Sequence, residues 1–260
     1  MQFRSRLPMA LAFVLLLPLP HLLHAEESNG KSEEELPPAL ESYMGRRIAF
    51  TMSVAGARWL IRKNRQAEED CATLLKQLKL KPGMTICDMG CGNGFYSLQM
   101  AKAVAPDGQV LAVDIQSEML RLLQARAVEQ DVKNVKPILG SVADPRLPKA
   151  KVDLILCVDV YHEFSHPEQM LKAMRESLAP GGVVALAEYR EEDPTVPIKP
   201  LHKMSKKQIL KEYSANGFKL VREFDGLPWQ HLMFLGRDDD DSFEKLPQRQ
   251  PAAEPEPKFR

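Results

Sequence analysis

Between residues 84 and 94 the chain reads M-T-I-C-D-M-G-C-G-N-G. A carboxylate, Asp88, precedes three glycines at alternate positions, Gly90, Gly92 and Gly94, with Cys91 and Asn93 between them. Glycine accepts positive φ and lets a ligand come close to the backbone. The chemistry this suggests is a ligand held against the main chain, with a cationic group beside the acid. A dinucleotide fingerprint, G-x-G-x-x-G, would put its last glycine where Phe95 stands. A glycine-rich turn without a ligand is the alternative on this stretch alone. A second acid, Asp114, ends the apolar run Q-V-L-A-V twenty residues beyond Gly94. An acid at that point of a strand–turn–helix unit can accept hydrogen bonds from ribose hydroxyls. Taken singly, Asp114 also fits a helix-capping role.

These groups need a strand before each acid and a helix after each turn. Met84, Ile86 and Cys87 form the apolar run before Asp88. Phe95, Leu98, Met100, Ala101 and Val104 then recur at helical spacing. Pro106-Asp107-Gly108 is a turn signal. Ser117 is placed to cap a helix carrying Met119, Leu120, Leu122, Leu123 and Val128. Further strands are expected at Val135–Leu139, Val152–Val158 and residues 183–187. An amphipathic helix over residues 167–178 stops at Ala179-Pro180-Gly181-Gly182. A helix over 204–214 and two closing strands, Phe218–Phe224 and 231–235, complete the pattern. This alternation is that of an α/β doubly wound domain. Residues 43–80 are expected as a helical extension that could form a lid.

The acid–glycine turn paired with Asp114 resembles motif I of class I S-adenosylmethionine-dependent methyltransferases. L-C-V-D-V-Y-H-E-F-S-H-P-E-Q-M-L and S-L-A-P-G-G are similar to the fourth- and fifth-strand signatures of small-molecule methyltransferases. E-Y-R-E-E-D-P-T-V-P-I-K-P-L-H-K-M-S, Y-M-G-R-R-I-A and L-P-W-Q-H-L resemble a group of predicted methyltransferases that carry signal peptides. The resemblance spans residues 43–236. It implies a Rossmann-like, seven-stranded, mostly parallel sheet with an antiparallel last strand, and S-adenosyl-L-methionine as cofactor.

The resemblance also implies roles. Asp88, Gly90, Cys91, Gly92 and Gly94 would surround the methionine part of the cofactor. Asp114 would hold the ribose and Ile115 would lie against the adenine. The loop Gly140-Ser141-Val142-Ala143-Asp144 would sit near the adenine edge, where many relatives have an acid at the place of Ser141. Serine can still bond the adenine amine, and Asp144 is another candidate. Asp159 stands where relatives approach the methionine ammonium; an ordinary strand-end cap is its other reading. The implied reaction is an in-line displacement, in which the protein positions the acceptor and excludes water. His162 and Glu163 are the candidate catalytic pair, with His162 as base for an acceptor that must lose a proton. A structural loop is the alternative for both, and more so for His202 and Lys203. A non-catalytic binding module remains a second reading, since export would separate the protein from cytoplasmic cofactor. A nicotinamide-dependent oxidoreductase is a third, disfavoured by Phe95.

The chain has 260 residues, 44% of them hydrophobic, enough for one sizeable α/β domain with appendages. Residues 1–25 carry Arg4, Arg6, an apolar run over 9–19 and Leu23-His24-Ala25 before Glu26, the pattern of an export signal cleaved near Ala25. The run is short and broken by Pro8, Pro18 and Pro20, which argues against a membrane span and leaves an uncleaved anchor as the alternative to a cleaved signal. Setting this segment aside leaves 33 basic and 35 acidic residues. That balance gives no footprint for nucleic acid or an anionic membrane. A small-molecule partner is expected instead. Residues 26–42 read as a polar linker, 81–236 as the cofactor-binding domain and 237–260 as a disordered tail. Cys87 and Cys157 are expected as buried thiols rather than a disulfide. With no C-x-x-C or H-x-x-x-H cluster read in the chain, no metal site is expected. Export has a direct check: protein from the native host should have an intact mass corresponding to a start close to Glu26. A soluble cytoplasmic chain beginning at Met1 would refute it.

Overall fold

The computed structural model describes residues 36–243. The export segment, most of the linker and the tail beyond Phe243 lie outside the described residues. Five parallel strands form the centre: β1 (Thr85–Met89), β2 (Gln109–Asp114), β3 (Val135–Leu139), β4 (Val152–Val158) and β5 (Leu178–Arg190). Two more, β6 (Phe218–Phe224) and β7 (Gln230–Arg237), complete the order β3-β2-β1-β4-β5-β7-β6. Strand β7 runs antiparallel to both neighbours, Leu232 facing Ala187 on one side and Phe224 on the other. A two-residue eighth strand, Lys203–Met204, pairs with the end of β5.

The strands read as nearly unbroken apolar runs because both faces are covered. Alternation then sorts each strand between two cores. Cys87, Ile155, Cys157, Val184 and Leu186 point to one side, packing with Leu171 and Met174 of α5 (Pro167–Ser177) and with Ile209 and Tyr213 of α6 (Lys206–Ala215). Ile86, Leu154, Leu156 and Ala185 point to the other, packing with Leu74 and Leu78, and with Met100 and Val104. Those partners lie on α2 (Cys71–Leu78) and α3 (Phe95–Val104). All four cysteines are buried free thiols, Cys87 and Cys157 among the sheet residues.

Several boundaries differ from the sequence expectation. Helix α4 (Ser117–Glu129) begins at Ser117 itself; Gln116 takes the cap position and Ser117 bonds Glu118 instead. Ala179-Pro180-Gly181-Gly182 does not merely stop a helix but continues as the first part of β5, past a register shift against β4. Gly182 is required there, since a Cβ would lie 2.8 Å from the Val152 carbonyl oxygen. The domain also extends past residue 236. Asp240 accepts the Gly181 N–H at 2.7 Å and the Ser242 N–H at 2.9 Å, so residues 238–243 are tied to β5 rather than disordered.

The segment before the sheet is only partly helical. It holds a two-stranded hairpin, Ser42–Tyr43 with Arg46–Arg47, two 3₁₀ turns, and α1 (Arg65–Glu69) leading into α2. Met44 and Gly45 both have positive φ, as a two-residue hairpin turn demands. The last linker residues are also docked: the Leu40 N–H meets the Ser165 carbonyl and the Pro37 carbonyl meets His166 Nε2. The hairpin is anchored by Arg46, whose Nε and Nη2 bond the two oxygens of Glu212 at 2.7 and 3.0 Å. Glu212 is wholly buried and also accepts the Tyr161 hydroxyl at 2.7 Å. Removing one partner of a buried pair leaves the other charge uncompensated. Arg46→Met is therefore expected to cost roughly 3–5 kcal/mol in urea denaturation. An effect under ~1 kcal/mol would mean that the pair is not needed to hold the hairpin.

Candidate functional site

A cavity of about 560 Å³ opens at the carboxyl ends of β1, β2 and β4. Ligands sit at this edge in open parallel sheets, where the strand order reverses. Gly90, Gly92, Asp114, Ile115, Ser141, Val142, Asp159, His162 and Glu163 all line it. Asp88, Cys91, Gly94 and Asp144 do not. Asp88 lies beneath the turn, where its carboxylate accepts the Ser97 hydroxyl at 2.5 Å. Cys91 is buried below the turn, its N–H on the Val113 carbonyl. Gly94 begins α3 with φ +80°, and a Cβ there would strike Leu123. Asp144 serves its own loop, accepting the Arg146 N–H at 2.7 Å and, through its carbonyl, the Ser141 N–H at 2.8 Å.

The turn is built to admit a ligand. Gly90 and Gly92 have φ of +66° and +52°. A Cβ on Gly90 would lie 2.4 Å from Val160, and one on Gly92 2.4 Å from Leu60. Asp114 joins the turn to the end of β2: its two oxygens accept the Gly92 and Gln116 N–H groups, each at 2.9 Å. Burial raises the Asp114 pKa against these bonds. Ile115 and Val142 present apolar side chains with 39% and 38% exposure, so both remain available to a ligand. Asp159 follows β4 in the left-handed region, φ +51°, which is strained for a residue other than glycine. One of its oxygens accepts Gln230 at 2.7 Å; the other is buried without a hydrogen-bond partner. Desolvation, then Glu69 and Glu188, drive its pKa well above the usual range.

On the other wall stands an imidazole–carboxylate group. Tyr161–Glu163 form a 3₁₀ turn directly after β4. Glu188, fully buried on β5, accepts the Tyr161 N–H at 2.8 Å and bonds His162 Nδ1 at 2.7 Å. His162 Nε2 then faces His202 Nδ1 at 3.0 Å. Burial pulls the His162 pKa down, but the Glu188 carboxylate outweighs it and the net shift is upward. His202 moves the other way, lowered by burial and then by His162. Glu163 accepts the Met52 N–H at 3.2 Å, and burial raises its pKa to about 7, against the opposing pull of His162.

Sequence reasoning missed Glu188, although it stands in the E-Y-R-E-E-D stretch after the fifth strand. It assigned His202 and Lys203 together to structure. The structure separates them: His202 reaches the cavity, while Lys203 Nζ is bound to the Asp193 and Val196 carbonyls. One ground for expecting no metal is mistaken: His162 and His166 do stand at H-x-x-x-H spacing. The two rings do not converge, because the intervening residues are not α-helical and His166 turns to the Pro37 carbonyl. Arg65, Glu69 and Tyr189 were also missed as lining residues. Arg65 bonds Glu69 at 2.8 Å, lies over the Phe95 and Tyr96 rings, and closes the cavity from the N-terminal segment.

The features test well against S-adenosylmethionine. Gly90 and Gly92 take positive φ on the cavity wall, where Val160 and Leu60 leave no room for a Cβ. A buried acid ends the second strand, and Asp159, which also lines the cavity, has a buried oxygen without a hydrogen-bond partner. A family model described as a methyltransferase domain matches residues 80–233. A demethylmenaquinone methyltransferase of Listeria monocytogenes is 26% identical over 123 residues, 47% of this chain and 51% of that protein. A nocamycin O-methyltransferase of Saccharothrix syringae is 35% identical over 82 residues, 32% of this chain and 29% of that protein. The chain thus spans about half or less of the length of these relatives. A solved S-adenosylmethionine-dependent methyltransferase from Aquifex aeolicus shares the fold, with a TM-score of 0.67 and 24% identity over 71% of this chain and 98% of that one.

The buried carboxyls give the domain a pH dependence. Desolvation lifts Asp88 to about 7 from an ordinary 3.8, opposed by Ser97, and lifts Glu163 to about 7 from 4.5. Both bind a proton more tightly folded than unfolded. Their contribution is therefore full below the unfolded pKa values and is lost as pH rises through about 7. Urea unfolding should show stability falling between pH 5 and pH 8. Asp88→Asn, which keeps an acceptor for Ser97, should flatten that fall. An equal slope in wild type and variant would remove Asp88 as its source.

Proposed function

The chain belongs to the methyltransferase-domain family, and we propose that it transfers a methyl group from S-adenosylmethionine to a small-molecule acceptor. The single observation that carries this reading is Asp114, held by the Gly92 and Gln116 N–H groups at the mouth of an open glycine turn. The acceptors in the names of the relatives, demethylmenaquinone and nocamycin, support a small organic molecule. The apolar lining of Met52, Trp59, Leu60, Phe164, Met170 and Ile198 suits such an acceptor. Export to an extracytoplasmic compartment, read from residues 1–25, is part of the proposal.

When bound, the cofactor supplies an activated sulfonium methyl. Gly90 and Gly92 would let it lie against the backbone, and Asp114 would accept from its ribose. Ile115, Ser141 and Val142 would flank the adenine, and Asp159 would meet the ammonium. His162 and Glu163 stand on the opposite wall, on the acceptor side. Glu188 holds His162 Nδ1, so the proton of an acceptor group is received at Nε2 and shared with His202. Arg65, Trp59 and the N-terminal segment exclude water from above.

Calorimetry with S-adenosylhomocysteine tests the first half. Wild type should bind, and Asp114→Ala should weaken binding by roughly 1–3 kcal/mol, the loss for a hydrogen bond to a charged group. Unchanged affinity in the variant would sink the assignment. Turnover tests the second half, once an acceptor has been found by screening. His162→Ala should slow turnover by about two to four orders of magnitude and leave cofactor affinity nearly intact. Loss of thermal stability with turnover spared in the folded fraction would make the loop structural.

A further inference from the structure

We propose that His162, His202 and Glu163 form a binding site for a divalent first-row transition cation on the acceptor wall of the cavity. The proposal rests on the reading of that wall as the acceptor side, and it names how an acceptor oxygen would be held there. One ligand atom from each residue falls in a group whose members all lie within 4.8 Å of one another. His162 Nε2 and His202 Nδ1 are 3.0 Å apart, and His162 Nε2 is 4.0 Å from Glu163 Oε1. Two ligands each about 2.0–2.2 Å from one ion can be separated by up to roughly 4 Å. Both distances fall within that span, so the set needs only small side-chain rotations to close on an ion.

Three further observations favour a cation over a plain hydrogen bond between the rings. Glu188 bonds His162 Nδ1 at 2.7 Å and so turns Nε2 toward His202 on the cavity wall. A carboxylate behind a metal-bound histidine orients the ring and raises its basicity in the same way. Glu163 is nearly buried, and its ion pairing among the described residues is with His162 alone. A buried carboxylate beside two imidazoles gains a full partner from a dication, and only a shared proton without one. Finally, His162, Glu163 and His202 all line the cavity, so an ion held by them would face it. Two histidines with one carboxylate and open positions is the donor set of catalytic zinc and of non-haem iron(II) sites. The open positions suit an acceptor that ligates through oxygen. With the cation bound, Nε2 is a ligand and no longer the base, so a hydroxyl bound there would lose its proton to water rather than to His162, the cation having lowered its pKa.

Sequence spacing hides the set. His202 is 40 residues beyond His162 and reaches it only because Pro200–His202 turns back beside the end of β5.

The test is calorimetric titration of chelator-stripped full-length protein with Zn²⁺, and in parallel with S-adenosylhomocysteine. Wild type should bind one equivalent of Zn²⁺. His202→Ala and Glu163→Gln should each lower that affinity at least tenfold, and Glu188→Gln by roughly 10–100-fold through His162. His166→Ala should leave it unchanged. His202 lies on a surface turn, so its variant stays informative if a buried variant fails to fold. A visible spectrum with Co²⁺ in place of Zn²⁺ should show a low-symmetry coordination that His202→Ala abolishes. No Zn²⁺ binding, or binding indifferent to His202→Ala and Glu163→Gln, overturns the inference. S-adenosylhomocysteine binding without Zn²⁺ binding defeats the metal site and leaves the methyltransferase reading standing. Zn²⁺ binding without S-adenosylhomocysteine binding does the reverse.

Discussion

Glu188 has no exposure, yet its carboxylate organises one whole wall of the cavity. It accepts the Tyr161 N–H and holds His162 Nδ1, so the turn after β4 is fastened to the end of β5. A buried carboxylate without such partners would be protonated or would not stay buried. The same side chain therefore decides the path of the 3₁₀ turn, the tautomer of His162 and the direction of its Nε2. Tyr161, positioned by that turn, sends its hydroxyl to Glu212, and Glu212 holds Arg46 of the N-terminal hairpin. A chain of charged hydrogen bonds thus runs from the sheet edge to the segment that covers it.

That segment is attached by buried ion pairs as well as by the apolar packing of Leu74 and Leu78. Arg46 meets Glu212, and Arg62 and Arg65 both meet Glu69, which also takes the Tyr189 hydroxyl at 2.9 Å. The acids involved are fully buried. Pairs of this kind contribute little net stability over apolar packing, but they are costly to break singly. They fix where the segment sits, and hence where Leu60 and Trp59 close the cavity. A cap held by a few strong, separable contacts is suited to a site that must open for its ligands and exclude water when closed.

Some of the positive-φ backbone lies in the same place. Gly90, Gly92 and Asp159 all take positive φ around the cavity mouth. Glycine does so without a steric cost, whereas Asp159 is held by Gln230 and its neighbours in β5 and β7. In the central strands, alternate residues divide between two cores, with register shifts only near Val152–Leu154 and Phe234–Leu235. Rigidity in the sheet and strain at its carboxyl edge together keep the binding groups preorganised.

The order of strands and helices was legible in the residues because it depends on local periodicity. Ile86 through Met89, Gln109 through Asp114 and Val152 through Val158 are short apolar runs between turn signals, and such runs are buried wherever they fall. The acid–glycine turn was legible too, since Gly90 and Gly92 are demanded by backbone conformation within a few residues. Less legible was the segment 43–80, read as helical: Met44-Gly45 makes a hairpin, and its arginines are placed by partners far along the chain. Asp88 and Asp144 have the right type in the right motif, yet the fold turns one to Ser97 and the other to its own loop. No spacing could reveal that Glu188 stands behind His162, or that His202 faces it across 40 residues. Imidazoles and carboxylates carry no periodic signal, and their meeting depends on how β4, β5 and the turn at Pro200–His202 converge at one sheet edge. The sequence alone determined the sheet, its flanking helices and a cofactor-type turn; tertiary structure decided which polar side chains share a buried cavity, because only packing sets the desolvation and the distances on which their chemistry depends.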